Sequence, residues 1–495
     1  MATTVPDEIS EDIFPDHALL PIHSSETWED VQISSDLDEL QTNQVRELLK
    51  EYQDVFSGQP KRTSAAKHEI DTGNAFPIRS APHRVPKPRE EAYYAEIDYM
   101  LKSNLIRPSK SPWASPTVVV PKSDGSIRFC VDYRKLNRVT KMDAFPMPRS
   151  DQMIERLGSA FFISTLDLTK GYWQIPLTEG SIEKSAFITQ KGLFEFLVMP
   201  FGLKTAAATF QRMMKTKVLQ GLEKSTDAYI DDVEIDTHTF PDHLEQLENV
   251  LQRLRKYNLT AKPSKCKIAF PSVDFLGFHV GSNLIQPKSA LVQSVVDFPR
   301  PLTKKDVKSF LGLVGFYRKF IKNFTQKAVP LSDLTRGKTS IVRWTDACES
   351  AFQCLKDELS NPPVLKPPNW EREFIVQVDA SSRGVGAILA QKDEYELEHP
   401  ICFISRKLKP FEQFLSTTEK ECLGLVWSLC KFRYYLLGRK FLIQVDHNPL
   451  VWLDRVKDNS QKLLRWSLTL QEFDFLVEYK KGSEHTNADA LSRYC

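Results

Sequence analysis

Each of four short apolar stretches in this chain runs directly into an aspartate. Short apolar runs with β-branched and aromatic residues indicate buried strands. A carboxylate at the end of such a strand lies at the edge of a sheet, where open α/β sheets place their functional sites. The pattern therefore predicts two acidic sites, one in each half of the chain. The aspartates are Asp167, the adjacent pair Asp231 and Asp232, then Asp379 and Asp446.

The composition predicts a soluble protein of several domains. The chain has 495 residues, of which 41% are hydrophobic and 26% charged, and this excludes collagen-like, disordered and disulfide-scaffold classes. No apolar run approaches the length of about 18 residues that a membrane span needs, and the acidic start carries no apolar signal region. Eight scattered cysteines without a C-x-x-C pair predict buried free thiols in a reducing compartment.

The charge is distributed unevenly along the chain. Residues 1–60 contain fourteen acidic residues against Arg46 and Lys50, a net charge of −12, whereas the rest has 64 basic and 50 acidic residues, a net charge of +14. A basic body indicates a polyanionic partner such as nucleic acid. The alternative is surface charge that serves no partner.

Periodicity and composition divide the chain into five segments. Apolar residues at helical spacing predict an amphipathic helix at about 38–56, after a flexible arm to about residue 35. The proline-rich stretch 59–88 is expected to run extended over a larger body. Eleven basic residues against three aspartates give 286–340 a net charge of +8, which suits contact with a phosphate backbone. The segments are an acidic N-terminal arm (1–60), a mixed α and β region (61–285), a basic helical unit (286–340), a linker (341–370) and a second α/β region (371–495).

The adjacent Asp231 and Asp232 are predicted to form the turn of a hairpin. Tight two-residue turns favour Asn-Gly or Asp-Gly, because both central residues have a positive φ. Two neighbouring carboxylates also repel each other, and a divalent cation would relieve the repulsion. Violations of local rules concentrate at functional sites, so this turn is a candidate site.

Five ordered boxes between about residues 65 and 340 resemble the reverse transcriptases of gypsy-type (Metaviridae) LTR retrotransposons. The resemblance implies a right-hand α+β polymerase with fingers and palm at 61–285 and a thumb at 286–340. The boxes are Arg128-Phe-Cys-Val-Asp132-Tyr133-Arg134-Lys-Leu136-Asn137, Asp167 with Gly171-Tyr172, Met199-Pro200-Phe201-Gly202-Leu203, Tyr229-Ile230-Asp231-Asp232, and Phe275-Leu276-Gly277-Phe278.

The resemblance implies a role for each matching residue. Asp167 and Asp231 would hold two Mg²⁺ ions, with Asp232 completing the site, and two-metal chemistry suits phosphoryl transfer. Lys122 and Arg128 match residues that grip the nucleoside triphosphate, and the alternative for both is solvated charge at a strand edge. Tyr172 matches the steric gate against a ribose 2′-hydroxyl, the group that distinguishes RNA from DNA, and the alternative is a core tyrosine. The primer-grip residues would be Phe275, Leu276, Gly277 and Phe278.

The second acidic cluster resembles the ribonuclease H of the same retroelements, over residues 371–495. This resemblance implies an α/β ribonuclease H-like domain with a mixed central sheet. Periodicity alone does not choose between Glu419 and Glu421 on the predicted helix 417–434, but the family's glutamate matches Glu421. The implied ligands of two further metal ions are Asp379, Glu421, Asp446 and Asp489.

The expected activity is an RNA-directed DNA polymerase joined to a hybrid-specific ribonuclease, and two rival interpretations remain. Its cofactor would be Mg²⁺ at two ions per site, with Mn²⁺ as a substitute. Its partners would be an RNA template, a DNA primer, the RNA–DNA hybrid and deoxynucleoside triphosphates, without a membrane. The expected location is cytoplasmic, with virus-like particles or the nucleus as alternatives. The rivals are a host-captured, non-enzymatic nucleic-acid-binding protein and a DNA-templated repair polymerase, which the ribonuclease half disfavours.

Overall fold

The computed structural model describes residues 26–121, 127–336, 342–381, 383–445 and 461–479. The chain divides into two compact units, each with sheets of its own. The first contains residues 1–153 and 160–271, and the second contains residues 154–159 and 272–495. Among the residues described, none of the helices combines the length and the apolar character that crossing a membrane requires.

The described part of the first unit combines ten strands with seven helices, of which the fourth continues into the second unit. The strands are β1 (Gln32–Ile33), β2 (Ile106–Pro108), β3 (Ser115–Pro121), β4 (Ile127–Val131), β5 (Phe162–Asp167), β6 (Phe187–Thr189), β7 (Gly192–Phe196), β8 (Thr226–Tyr229), β9 (Asp232–Thr237) and β10 (Lys267–Phe270). The helices are α1 (Glu39–Glu51), α2 (Glu90–Lys102), α3 (Arg134–Val139), α4 (Ser150–Ser159), α5 (Glu179–Ile182), α6 (Ala206–Met213) and α7 (Phe240–Lys256).

The strands of the first unit form two five-stranded sheets. The palm sheet has the order β1-β10-β5-β9-β8, and the fingers sheet has the order β2-β7-β6-β3-β4. In the fingers sheet, β3 pairs antiparallel with β4, and Pro121 faces Ile127. Helix α7 packs on the palm sheet through a buried stripe that includes Leu247, Val250 and Leu254.

The N-terminal segment is part of the palm. Asp38 caps α1 in a capping box with Gln41, and the helix buries Val45 and Leu49, which confirms the amphipathic helix. In contrast to the flexible arm predicted up to residue 35, β1 pairs in parallel with β10. A strand that completes a distant sheet has no local sequence signal, because its partner lies more than 200 residues away. The expected extended course of 59–88 is confirmed by bridges such as that of His68 with Leu177.

The second unit contains eight strands and eight short to medium helices among its described residues, besides the end of α4. The strands are β11 (Val273–Phe275), β12 (Phe278–Gly281), β13 (Leu284–Pro287), β14 (Phe374–Ala380), β15 (Gly384–Lys392), β16 (Glu398–Lys407), β17 (Lys440–Val445) and β18 (Asp474–Tyr479). The helices are α8 (Ser289–Val296), α9 (Lys304–Phe316), α10 (Phe324–Lys327), α11 (Val329–Leu334), α12 (Asp346–Ser360), α13 (Thr417–Lys431), α14 (Arg433–Leu436) and α15 (Gln461–Leu470).

The ribonuclease H-like sheet has the order β16-β15-β14-β17-β18. Antiparallel pairing joins β14 to β15 and β15 to β16, whereas β14, β17 and β18 run parallel. This confirms the predicted mixed sheet. Helix α13 covers it, and Gly424 permits the close approach, since a Cβ there would lie 3.2 Å from Val378 Cγ1.

The basic helical segment packs one face and exposes part of the other. Thr303 caps α9 in a capping box with Asp306, and Phe310 and Val314 are buried. Lys305 and Lys308 are exposed, as the predicted basic face requires.

The cysteines among the described residues are all free, as expected from their spacing. Cys130, Cys266, Cys348 and Cys422 are buried, whereas Cys430 is exposed. The expectation that Cys430 lies in an apolar core is therefore wrong, because it stands at the end of α13 on the side that faces solvent.

Candidate active sites

The first candidate site lies at the hairpin between β8 and β9. Tyr229 pairs with Asp232, so the two turn residues are Ile230 and Asp231. The prediction that Asp231 and Asp232 form the turn is therefore wrong by one residue. Ile230 has φ = +59°, a conformation that a β-branched residue adopts rarely and that costs on the order of 1–3 kcal/mol. Surrounding contacts must hold the turn in this strained form.

Gln211 supplies such contacts. Its side chain is buried on α6, where Nε2 donates a hydrogen bond to the carbonyl oxygen of Ala228 at 2.8 Å. Its Oε1 accepts a hydrogen bond from the backbone N–H of Ile230 at 3.2 Å. The sequence alone did not identify Gln211 as a support of this turn. The one feature that could have indicated it is a single amide side chain among the apolar residues of a short helix.

Two of the three predicted palm carboxylates lie on paired strands, and the third lies in the adjoining turn. Asp167 ends β5 and faces Asp232, the first residue of β9, and Asp231 is the turn residue before it. The backbone N–H of Leu168 donates to the carbonyl oxygen of Asp231 at 2.9 Å. Lys265 Nζ lies 3.0 Å from Asp167 Oδ2, so a lysine partly neutralises this cluster.

The electrostatic environment of Asp231 disfavours its charged form. The residue is 6% exposed, and burial, reinforced by the negative charge of Asp167, raises the pKa of Asp231 to about 6. The nearby Lys265 acts in the opposite direction. The charge of a second carboxylate favours the neutral form of Asp231. A divalent cation would instead stabilise the charged forms of both carboxylates.

The donor set of the palm suits Mg²⁺, because carboxylate oxygens are the ligands that this ion prefers. Asp167 and Asp231 repel each other through space, and this repulsion is the observation that fits a bound cation. In the ranges that the structure describes, no three His, Cys, Asp or Glu residues converge as ready-made ligands around one point. Asp167, Asp231 and Asp232 therefore have the oxygen ligands that Mg²⁺ prefers, but they do not converge around a single point.

The predicted steric gate, Tyr172, lies beside Asp231. A Cβ at Gly171 would come within 2.9 Å of Asp231 Cβ, so glycine at this position lets the turn carrying Tyr172 pack directly on the aspartate. The Tyr172 ring is 8% exposed and lies 5.1 Å from the ring of Phe201. Burial, together with the charge of Asp231, raises the pKa of the Tyr172 hydroxyl. The hydroxyl therefore stays protonated beside the acidic cluster.

The two predicted triphosphate-binding residues belong to the fingers sheet. Arg128 lies in β4 opposite Val120 of β3 and is half-buried. Lys122 falls between these strands, outside the described residues.

The four predicted primer-grip residues form a tight hairpin between β11 and β12. Phe275 pairs with Phe278, and the two turn residues, Leu276 and Gly277, have φ of +44° and +85°. This hairpin packs on the basic helical segment. Tyr317 donates its hydroxyl hydrogen to the carbonyl oxygen of Gly277 at 2.6 Å.

Aromatic contacts extend the packing of the same hairpin. The ring of Phe278 stacks on that of Phe316 at 5.2 Å, and Lys319 Nζ lies 4.0 Å from the ring centroid of Phe278. Lys319 belongs to the basic segment that was predicted to contact a phosphate backbone. The structure gives it a cation–π contact with the hairpin, so the basic segment and the predicted grip are joined.

The second candidate site lies at the carboxyl end of β14. The strands β14 and β17, which precede Asp379 and Asp446, are parallel neighbours with Gln377 facing Gln444. This confirms the adjacency on which the prediction rested, although Asp446 and Asp489 lie outside the described residues. Asp379 is exposed. Its Oδ2 accepts a hydrogen bond from Asn323 Nδ2 at 2.9 Å.

The two glutamates at the start of α13 have different environments. Glu419 forms a capping box with Ser416, whose backbone N–H donates to Glu419 Oε2 at 3.0 Å. Glu419 Oε1 is also 2.9 Å from Lys462 Nζ. Glu421 follows two residues later on the same helix. Both oxygens of Glu419 are thus engaged in holding the helix end, and both glutamates are half-buried.

Comparisons with known proteins place both sites in matching domains. Residues 120–280 match the family described as reverse transcriptase (RNA-dependent DNA polymerase). Residues 369–473 match the RNase H-like domain found in reverse transcriptase. Families of these two kinds generally use divalent metals.

Curated relatives and solved structures agree with this assignment. The chain is 38% identical over 465 residues to a retrovirus-related Pol polyprotein from transposon 297 of Drosophila melanogaster, covering 92% of the chain and 43% of the relative. It is 32% identical to the Tf2-3 transposon polyprotein of Schizosaccharomyces pombe, covering 90% and 34%. The chain therefore spans less than half the length of these relatives.

The fold is shared with a foamy viral protease-reverse transcriptase solved in complex with double-stranded DNA. The TM-score is 0.83 at 22% identity, over 90% of this chain and 80% of the other. Another structure of the foamy viral protein, in complex with RNA/DNA hybrid, has a TM-score of 0.77 at 22% identity, over 90% and 61%. This likeness confirms the right-hand polymerase fold followed by a ribonuclease H-like domain. The chain thus contains a reverse transcriptase domain and a ribonuclease H-like domain, and its relatives are Pol polyproteins of LTR transposons.

Proposed function

We propose that this chain is an RNA-directed DNA polymerase that also cleaves the RNA strand of RNA–DNA hybrids. It copies retroelement RNA into DNA, and its two sites act in succession on the same nucleic acid. The observation that carries the proposal is the register of Asp167 with Asp232 across β5 and β9, with Asp231 at the adjoining strained turn. This is an arrangement of three carboxylates at one sheet edge, within a matched reverse transcriptase domain.

In the polymerase site, Asp167 and Asp231 would hold two Mg²⁺ ions, which Mn²⁺ can replace, and Asp232 would complete the site. When bound, these ions would supply the charge neutralisation that phosphoryl transfer to a primer 3′-hydroxyl needs. Lys265 lies near enough to Asp167 to offset part of the negative charge before the ions arrive.

The incoming deoxynucleoside triphosphate is bound by the fingers and by Tyr172. Lys122 and Arg128 contact its phosphates as cationic hydrogen-bond donors. The ring of Tyr172 occupies the space beside the sugar where a 2′-hydroxyl would extend. Its fixed position supports this role, because Phe201 and Phe210 pack on the ring and Gly171 seats it against Asp231.

The basic segment and the hairpin at Phe275, Leu276, Gly277 and Phe278 hold the primer strand. Lys305 and Lys308 extend from α9 and suit phosphate contacts. The hairpin is fixed to the end of the same segment through Tyr317 and Lys319. We therefore assign the duplex of RNA template and DNA primer to this surface.

In the ribonuclease site, Asp379, Glu421, Asp446 and Asp489 would hold two metal ions. When bound, the ions would supply an activated water and charge stabilisation for hydrolysis of the RNA strand. The engagement of Glu419 in the capping box and with Lys462 supports Glu421 as the ligand. If Glu419 turned towards a metal ion, it would lose the hydrogen bonds that cap its own helix.

The nucleic-acid partners and the location of the protein complete the proposal. The foamy viral protein of similar fold has been solved with double-stranded DNA and with RNA/DNA hybrid, and the basic body of this chain suits the same kinds of partner. The reaction would take place in the cytoplasm, with virus-like particles and the nucleus as further compartments.

Extension of a DNA primer on an RNA template with Mg²⁺, followed by cleavage of a preformed hybrid, tests the proposal. Incorporation of deoxynucleotides and fragmentation of the RNA strand are the expected results. A folded protein that binds the hybrid without either reaction would instead support the host-captured, non-enzymatic alternative.

A further inference from the structure

A short segment of the basic helical region lies across the end of the ribonuclease H-like sheet. The segment consists of Asn323 and α10. The backbone N–H of Thr325 donates to Ser405 Oγ at 3.0 Å, and Ser405 in turn donates to Thr325 Oγ1 at 3.0 Å. Gln326 Nε2 donates to the carbonyl oxygen of Gly384 at 3.4 Å. Both partners of the contact lie within the second compact unit.

Glycine in β15 makes room for this segment beside Asp379. Gly386 is the register partner of Asp379 on one side and of Ser405 on the other. A Cβ at Gly386 would lie 2.2 Å from Asn323 Oδ1, far inside contact distance. The missing side chain therefore lets the Asn323 amide reach the strand that carries Asp379.

The amide of Asn323 donates a hydrogen bond to Asp379 Oδ2 at 2.9 Å. A carboxylate only accepts hydrogen bonds, so Nδ2 rather than Oδ1 must face it. Asn323 has φ = +54°, a left-handed conformation that asparagine tolerates better than most residues. Asparagine thus satisfies both requirements at this position, a left-handed backbone and a side-chain hydrogen-bond donor.

A neutral donor suits a metal ligand better than a cation would. The amide leaves the full negative charge on Asp379, holds Oδ2 in place and leaves Oδ1 accessible, since Asp379 is exposed. Hydrogen bonds of this kind orient metal-binding carboxylates, and their loss typically costs about 10–100-fold in metal affinity or activity.

We propose that Asn323 is a positioning residue of the ribonuclease site, supplied from outside the ribonuclease H-like domain. It orients Asp379 for metal binding and thereby couples the basic helical segment to the hydrolytic site. The inference rests on the proposed function only in that Asp379 serves as a metal ligand there.

The test compares three variants of the full chain. Asn323→Gly removes the amide but tolerates the left-handed backbone, and Asn323→Ala removes the amide and strains the backbone as well. Gln326→Ala is the matched control, because it removes a hydrogen bond from the same segment to the same sheet without touching Asp379. Melting temperatures establish that each variant folds.

Two readouts are measured. The first is the Mg²⁺ concentration that gives half-maximal hybrid cleavage, with primer extension as the internal reference. The second is calorimetric binding of Mn²⁺ alone, without nucleic acid, where the binding lost in Asp379→Asn identifies the ribonuclease site. Asn323→Gly should raise the half-maximal Mg²⁺ concentration and weaken the Asp379-dependent Mn²⁺ binding by about tenfold. Gln326→Ala should change neither, and primer extension should keep its Mg²⁺ dependence in all variants.

The readouts separate this inference from the proposed function. A wild-type protein without hybrid cleavage would count against the function, and the Mn²⁺ titration would still decide the role of Asn323. Equal Mn²⁺ affinity in wild type and Asn323→Gly, or no Mn²⁺ binding that depends on Asp379, would overturn the positioning role.

Discussion

The side-chain oxygen of Gln211 accepts a hydrogen bond from the backbone N–H of Ile230, the residue with φ = +59° in the turn that presents Asp231. The other end of the same amide donates to the carbonyl oxygen of Ala228. A buried glutamine therefore bridges the strand and the turn, and its two hydrogen bonds oppose relaxation of the strained backbone. The position of the candidate catalytic aspartate depends on a side chain that takes no part in the chemistry.

Replacing Gln211 with leucine should impair the polymerase site selectively. The change keeps the side-chain volume but leaves the half-buried N–H of Ile230 and the buried carbonyl of Ala228 without their partner, and a buried unsatisfied group costs about 1–3 kcal/mol. Primer extension should fall at least tenfold, while hybrid cleavage is retained. Gln246→Leu is the matched control, because Gln246 bonds Thr226 Oγ1 at 2.7 Å at the far end of β8. Equal loss of extension in both variants would mean that general destabilisation, not turn geometry, is responsible.

Replacing Tyr172 should alter the selection of sugars. Tyr172→Val removes the ring beside Asp231 and should raise the incorporation of ribonucleotides relative to deoxynucleotides at least tenfold in single-nucleotide extension. Tyr172→Phe keeps the ring and its packing on Phe201, so it should preserve the selectivity of wild type. An active Tyr172→Val enzyme with unchanged selectivity would remove the gate assignment.

The raised pKa of Asp231 predicts a specific pH dependence. Its value of about 6 in the folded protein exceeds the ordinary 3.8, so the folded state binds the proton more tightly and the free energy of unfolding decreases as pH rises from about 4 to 6. In metal-free buffer at pH 7.5, Asp231→Asn should therefore unfold with a free energy higher by on the order of 3 kcal/mol, from two pKa units.

Chemical denaturation of wild type and Asp231→Asn over a pH series measures this difference. The gap should close near pH 4, and Mg²⁺ should reduce it at pH 7.5 by stabilising the charged wild-type site. Parallel pH profiles for the two proteins would show that Asp231 has an ordinary pKa.

The role of the acidic N-terminal segment is best tested by deleting residues 1–25 rather than the whole acidic stretch 1–60. Deleting residues 1–60 would remove β1, α1 and the buried Val45 and Leu49. Residues 1–25 contain five acidic residues and no lysine or arginine. If they compete with nucleic acid for the basic segment, their deletion should tighten RNA binding at low salt and steepen its salt dependence. Superimposable binding curves over a salt series would show that these residues do not compete.

The strand-ending aspartates could be predicted because burial imposes a local pattern. β5 and β14 end at or next to Asp167 and Asp379, where an apolar run meets a charge. Two similar strands that both stop at an aspartate suggested one shared site, and the structure shows that β14 and β17 are neighbours. The amphipathic helix was equally visible, because Val45, Leu48 and Leu49 recur at helical spacing.

Tertiary contacts decided the features that the sequence did not reveal. Turn preferences argued against Ile230 at a positive φ, and the hydrogen bond from Ile230 to Gln211 outweighed them. The pairing of β1 with β10 and the contact of Asn323 with Asp379 join residues far apart in the chain, so no local pattern marks them. Glu419 and Glu421 were indistinguishable by periodicity, and the structure adds the capping box of Glu419 with Ser416.

The most direct test of two independent active sites is a pair of single substitutions assayed for both reactions. Asp231→Asn should abolish primer extension on RNA and leave hybrid cleavage within about twofold of wild type, because the turn lies in the first compact unit and Asp379 in the second. Asp379→Asn should abolish cleavage and leave extension intact. If either folded variant loses both activities, or neither, the assignment of the two reactions to these two carboxylate clusters is contradicted.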